Sequence, residues 1–250
     1  MHLSPGKKIY FASDFHFGIP DRATSVAREK RVVQWLDKCA EDAEKIYLVG
    51  DLFDVWFEYR RVVPKGYVRF LGKLAELSDA GLSIEAFTGN HDLWMRGYFE
   101  EELGIPVHHA PIERTIAGKD FFIGHGDGLG PGDHGYKAIK RIFRSPASQW
   151  IYRRLHPDTG VQMAEYFSRK GPKHEGEDEV FLGADKEYLI QFCLEKLKSK
   201  PIDFFVFGHR HLPLEYALPG GSLYVNLGDW IRYDSYAVFD GEQLALQSRV

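Results

Sequence analysis

A chain of 250 residues with 44% hydrophobic content can bury one large α/β core, or such a core carrying an insertion. A formal net charge of −4 leaves no global electrostatic footprint for nucleic acid, and no run approaches the ~18 apolar residues of a membrane span. The N-terminus has no secretion-signal pattern and the two cysteines, Cys39 and Cys193, read as core residues of helices, so the expectation is a cytoplasmic protein that can still touch a membrane surface.

Short β-type runs then alternate with helical patterns: "KIYFAS", "TSVAREKRVVQWLDKCAED", "KIYLVG", "YVRFLGKLAELSDAG" and "LSIEAFTG". The alternation predicts a sheet whose early strands are parallel and covered by helices. Next, "VHHAPIERTIAGKDFFIGHGDG" reads as two strands joined through "AGKD". Residues 129–197 are rich in helix formers and broken at "GPGD", "RSPAS", "HPDTG" and "KGPKHEGEDE", which predicts a helical insertion, or lid, within a single domain spanning 1–250. The tail reads as hairpins turning at "PGG" and "DG". A βα half followed by a meandering β half implies two packed sheets with helices outside.

Polar clusters stand where the strands end: "SDFHFG" with Asp14 and His16, "VGDLFD" with Asp51 and Asp54, "TGNHD" with Asn90, His91 and Asp92, "IGHGD" with His125 and Asp127, and "FGHRH" with His209 and His211. Loops at the carboxyl ends of strands converge on one crevice, so clusters far apart in sequence become neighbours. Carboxylate, imidazole and amide donors without thiolate suit a divalent ion such as Mn²⁺, Fe²⁺ or Zn²⁺. In "DFH" the two donors are expected on one face of an extended segment. The donors exceed one ion's needs, and two ions sharing Asp51 would favour phosphate ester or anhydride hydrolysis. A lone Gly-Asp or His-Gly is a turn more often than a ligand; His108 and His109, lacking glycine or carboxylate neighbours, are read as structural. Asp54 and Asp127 are read as groups that orient ligands.

The ordered set D-x-H, G-D-x-x-D, G-N-H-D, G-H and G-H-x-H resembles the calcineurin-like metallophosphoesterases over about residues 8–230. The resemblance implies a four-layer α/β/β/α sandwich with a helical lid and two metal ions, most simply Mn²⁺. One ion would be held by Asp14, His16, Asp51 and His211, the other by Asp51, Asn90, His125 and His209. It also implies that His91 lies by the substrate phosphate and that Asp92 orients it.

Within that family, "GDLFDVW", "HGDGLGPGDHGY", the lid-sized insertion and "VNLGDW" resemble the bacterial UDP-2,3-diacylglucosamine diphosphatases of lipid A synthesis. That implies a nucleotide-linked glycolipid substrate cleaved to UMP and a lipid sugar phosphate, with Asn90, Asp133 and Tyr136 as further contacts. Two departures stand out: His91 occupies the place where that group typically has arginine, and Arg210 adds a charge that could serve a different phosphate. A phosphoesterase of soluble nucleotides, phosphoproteins or other esters is the alternative. A non-catalytic scaffold usually loses ligands, and none of the seven is missing.

Lys137, Lys140, Arg141, Arg144, Arg153 and Arg154 fall in a stretch, 137–156, that contains no acid. Ile139, Ile142 and Phe143, then Trp150, Ile151 and Leu155, recur at helical spacing beside them. Such segments either meet lipid, with cations at phosphate, or pack their apolar side onto the domain.

Overall fold

The computed structural model describes residues 1–130, 140–143, 145–170 and 180–248. Strand β1 (Lys8–Ala12) buries alternate side chains on opposite faces: Ile9 and Phe11 in one cluster, Tyr10 and Ala12 in another. β2 (Ala43–Val49) repeats this with Tyr47 and Val49 against Ile46 and Leu48. Strands apolar on both faces need a cover on each side. Helices α1 (Arg22–Ala40), α2 (Val68–Asp79) and α3 (Tyr98–Leu103) supply one, burying Trp35, Leu36, Phe70, Leu74 and Phe99. A second sheet supplies the other.

The first sheet also holds β3 (Ser83–Phe87) and β4 (Val107–His108), with β1 to β4 parallel. β5 (Ile112–Ile116) and β6 (Lys119–Ile123) open the second sheet. The stretch expected as an insertion, 129–197, contains α4 (Pro146–Tyr152), α5 (Pro157–Lys170) and α6 (Tyr188–Leu197), of which α6 belongs to the body. Then come β7 (Phe204–Phe207), β8 (Pro213–Ala217), β9 (Leu223–Leu227), β10 (Ser235–Phe239) and β11 (Leu244–Ser248). The sheet orders are β11-β10-β1-β2-β3-β4 and β5-β6-β7-β9-β8. Leu189, Ile190 and Cys193 of α6 seal the outer face of the second sheet, which completes four layers.

The hairpins expected at "AGKD", "PGG" and "DG" all form. One strand escaped the sequence pattern: two-residue β4, which pairs with β3 in the first sheet rather than continuing into β5. Both cysteines are buried and unbridged, as expected.

Two adjacent α1 residues fasten the loops around it. Arg28, 1% exposed, donates Nη1 to the carbonyls of Phe15 (3.0 Å) and His16 (2.7 Å). Glu29 accepts from the first amides of α2, Arg69 (2.6 Å) and Phe70 (3.2 Å), and so caps a helix whose own N-cap, Tyr67, offers no side-chain bond.

His108, read as structural, pairs with Glu85 of β3 at 2.7 Å, and Lys45 of β2 closes on the same carboxylate. The His108 hydrogen bond, and then Lys45, outweigh burial and lower Glu85 from 4.5 to about 2. A depressed carboxylate contributes stability above its unfolded value and loses it as pH falls through the folded one. Glu85→Gln should therefore lower the urea midpoint at pH 7 and remove part of the stability loss between pH 4.5 and about 2; an unaltered pH profile would contradict the pairing.

Candidate metal centre

The loops following β1, β2, β3, β6 and β7 leave the carboxyl ends of parallel strands and meet at one edge of the two sheets. Backbone bonds from Asp14 N to Gly50 O, His16 N to Asp51 O and Phe17 N to Leu52 O, each 3.0 Å, continue the β1–β2 pairing into the loops. The segments are not extended there. Asp14, His16, Asp51, His209 and His211 have φ of 57°, 44°, 51°, 69° and 53°. The expected same-face geometry of "DFH" is thus replaced by two left-handed residues, which turn both side chains inward where an extended segment would have carried them past the centre.

The side chains converge. His16 Nε2 and His211 Nε2 are 3.1 Å apart, and His211 Nε2 lies 3.2 Å from Asp14 Oδ1. His125 Nε2 is 3.2 Å from both Asn90 Oδ1 and Asp51 Oδ2, and Asp51 Oδ2 is also 3.7 Å from His16 Nε2. His209 joins Asp51 and His125 within ligand distance. Donor atoms bound at ~2.1 Å to a common ion lie about 3 Å from one another; Asp14, His16 and His211 make one close group, Asp51, His125 and His209 another, and Asp51 also joins His16 and His91 between them, so the donor set fits divalent ions.

Charge points the same way. Asp14 and Asp51 are 0% and 1% exposed. Burial pushes their carboxyls up, but His211 at Asp14 and His125 at Asp51 outweigh it and hold both below the usual carboxylate range. In return, Asp51 overcomes burial to lift His125 to about 10, while burial and the His125 charge lower His209 to about 4. Buried anions that recruit protons onto histidines are sites where cations replace those protons.

In His125 and His211 the inward nitrogen is set by what the opposite ring nitrogen touches. His125 Nδ1 meets Val49 O at 2.9 Å, and His211 Nδ1 faces Asp229 Oδ2 at 3.3 Å. Asp229 Oδ1 accepts from the amides of Ile231, Arg232 and Tyr233. The sequence pattern gave Asp229 no role, although it lies in the "VNLGDW" motif.

His91 shows a correction. Its Nδ1 lies 3.0 Å from Asp54 O and 3.3 Å from Asp54 Oδ1. Asp54, read as an orienting group, is the one that orients His91. Asp92, expected in that role, instead accepts from the backbone amides of Gly89 (2.6 Å) and Leu52 (2.8 Å) and fixes the loop; burial and then Asp51 raise it to about 6. Burial lowers His91, but Asp51 and Asp54 outweigh it and lift the ring to about 9.

Arg210 is likewise committed elsewhere than the expected phosphate: it is buried, with Nε and Nη2 at 2.9 and 2.8 Å from the two Glu187 oxygens. Such a bidentate pair spends the guanidinium's planar face. Asp127 pairs with Lys140. Asp133 and Tyr136 lie outside the described residues.

The lid region settles onto the loops that carry Asp54 and His91. Tyr152 packs 4.5 Å from Phe57 and 4.7 Å from Trp94, and Trp94 Nε1 donates to Phe143 O at 2.9 Å. Six of its aromatic and aliphatic side chains are largely open to solvent: Ile142, Phe143, Trp150, Ile151, Tyr166 and Phe167 are 45–63% exposed. Phe143 still meets Trp94 edge-on, with ring centroids 5.7 Å apart, so the segment packs in part on the domain and in part faces outward.

The profile of the calcineurin-like phosphoesterase family matches residues 7–213. The UDP-2,3-diacylglucosamine hydrolase of Porphyromonas gingivalis is 42% identical over 96% of this chain and 97% of that protein. That of Hahella chejuensis is 29% identical over 94% and 95%. Among solved structures, the phosphoesterase Yfce from E. coli aligns with 95% of this chain and 91% of its own, at 17% identity and a TM-score of 0.47.

The centre leaves no room beside Asp51. A Cβ on Gly89 would overlap the Asp51 carboxylate and come within 2.6 Å of its backbone nitrogen, and one on Gly208 would overlap the Asp14 carboxylate. Gly89→Ala should weaken Mn²⁺ binding by about tenfold or more in equilibrium dialysis; wild-type affinity would mean that Asp51 is not held against this backbone.

Proposed function

The chain belongs to the calcineurin-like phosphoesterases, and from that premise we propose that it hydrolyses the pyrophosphate of UDP-2,3-diacylglucosamine to UMP and 2,3-diacylglucosamine 1-phosphate, a step of lipid A synthesis. Relatives named for that substrate match nearly the whole chain. The observation that carries the reading is the exposed apolar lid seated against a cation-seeking centre. A two-chain lipid sugar linked to a nucleotide presents both acyl chains and a pyrophosphate, and this surface offers a complement to each.

Asp14, His16, Asp51 and His211 would hold one ion, and Asp51, Asn90, His125 and His209 the other. The donor chemistry suits Mn²⁺. Bound there, such ions lower the pKa of water and neutralise phosphate charge.

His91 supplies the chain's own share. With Nδ1 engaged by the carbonyl and carboxylate of Asp54, which favour the imidazolium, Nε2 is its remaining donor. As a water oxygen bonds to phosphorus and the anhydride P–O bond breaks, this imidazolium stabilises the growing negative charge and gives its proton to the departing oxygen. It thereby supplies the positive charge that arginine provides in the typical diphosphatase. Arg210, held by Glu187, steadies the loop between His209 and His211 and leaves the phosphate to other groups.

Among the described residues no helix is long and apolar enough to cross a membrane. Contact with lipid then falls to the lid, whose exposed Trp150 has Arg154 stacked over it at 4.6 Å, a pairing suited to an anionic interface on the cytoplasmic face.

Phosphorus NMR of metal-stripped protein given Mn²⁺ tests this with UDP-2,3-diacylglucosamine beside UDP-N-acetylglucosamine and p-nitrophenyl phosphate. The expected result is Mn²⁺-dependent UMP release from the diacyl compound alone. Rapid turnover of the soluble compounds with the lipid untouched would overturn the proposal.

A further inference from the structure

Ser168 lies near the end of α5, in the lid, 114 residues from Asp54 in sequence. Its hydroxyl is 2.9 Å from Asp54 Oδ2 and 3.0 Å from Oδ1. Asp54 is 4% exposed, and its backbone amide is tied to Phe17 O at 3.0 Å. The same residue engages His91 Nδ1 through both its carbonyl and its carboxylate, as described above. Across the centre its Oδ1 faces His16 Nδ1 at 3.8 Å, too long for a hydrogen bond, and that nitrogen has no other partner.

A carboxylate turning about its terminal bond can favour His91 or His16. A hydroxyl donor against both oxygens restricts that rotation, because a buried acceptor left unmatched costs more than a matched one gains. The donor comes from the lid, and the group it restrains belongs to the body.

We infer that Ser168 is a positioning residue: held against Asp54 while α5 rests on the body, it sets the orientation of the His91 imidazole. Closure of the lid and placement of the proton donor are then one event. An open lid removes the hydroxyl and leaves Asp54 free to rotate toward His16. The part concerning turnover rests on the function proposed above; the geometric part does not.

The test uses the full chain as wild type, Ser168→Ala, Ser168→Thr, Asp54→Asn and the Ser168→Ala/Asp54→Asn double variant. In the ¹⁵N-histidine spectrum of the metal-free protein, Ser168→Ala should shift the His91 Nδ1 resonance although the two residues do not touch, and Ser168→Thr, which keeps the hydroxyl, should restore it. With Mn²⁺ and UDP-2,3-diacylglucosamine, Ser168→Ala should lower kcat by about tenfold with KM within about twofold. The double variant should be no slower than Asp54→Asn, because both changes act through one contact. An unmoved His91 resonance, a rise in KM at constant kcat, or losses that multiply in the double variant would each overturn the inference. The spectrum needs no substrate, so failure of the lipid to turn over counts against the proposed function and leaves this test standing.

Discussion

Five of the seven candidate metal ligands are held in left-handed backbone, and much of the surrounding structure exists to keep them there. Aspartate tolerates that region better than most residues, yet each such residue costs about 1–3 kcal/mol. Five of them amount to a large share of the ~5–15 kcal/mol by which a domain is stable. The strain persists because the loops are overdetermined: Arg28 from α1 grips the carbonyls of Phe15 and His16, the β1 and β2 loops pair with each other, and Asp14 Oδ1 and Oδ2 accept from His209 N at 3.2 and 3.1 Å. The reward is that short loops aim several donors at a small volume without long, floppy side chains.

That convergence creates an electrostatic problem whose solution resembles a function. Two nearly inaccessible carboxylates face a ring of imidazoles, and their charge lifts His125 and His211 in return. His91 stands at the border of this system, half-exposed toward the lid and lifted by Asp51 and Asp54. A histidine in a typical arginine position is therefore less of a departure than its chemistry in water would imply, because the carbonyl and carboxylate of Asp54 at its Nδ1 favour the charged ring. Helices α4 and α5 meet the centre through the loops that carry Asp54 and His91, by the Tyr152 ring against Phe57 and Trp94 and by the Ser168 hydroxyl on Asp54.

Much of this was readable before any coordinates. Apolar runs ending in Gly-Asp, Gly-Asn-His or Gly-His marked the strand ends, and "PGG" and "DG" marked hairpins, because both signals depend only on neighbours in sequence. What escaped depends on the tertiary structure. Nothing distinguishes a left-handed aspartate from an extended one when no glycine stands at that position, so "DFH" was read as extended. Asp92 is adjacent to His91 and was given the orienting role that belongs to Asp54, 37 residues away, because sequence proximity is a poor guide to which carboxylate faces a ring. Arg210 read as a spare charge since its partner, Glu187, lies 23 residues earlier, beyond α6 and β7. The two-residue β4 is too short to show a period.

The central claim is that Asp51 stands between two divalent ions. Anomalous diffraction from crystals grown with Mn²⁺, collected at the manganese edge, tests it most directly. Two peaks about 3.5–4 Å apart on either side of the Asp51 carboxylate are predicted, one beside Asp14, His16 and His211 and the other beside Asn90, His125 and His209. A single peak, or peaks that leave Asp51 out, would contradict it.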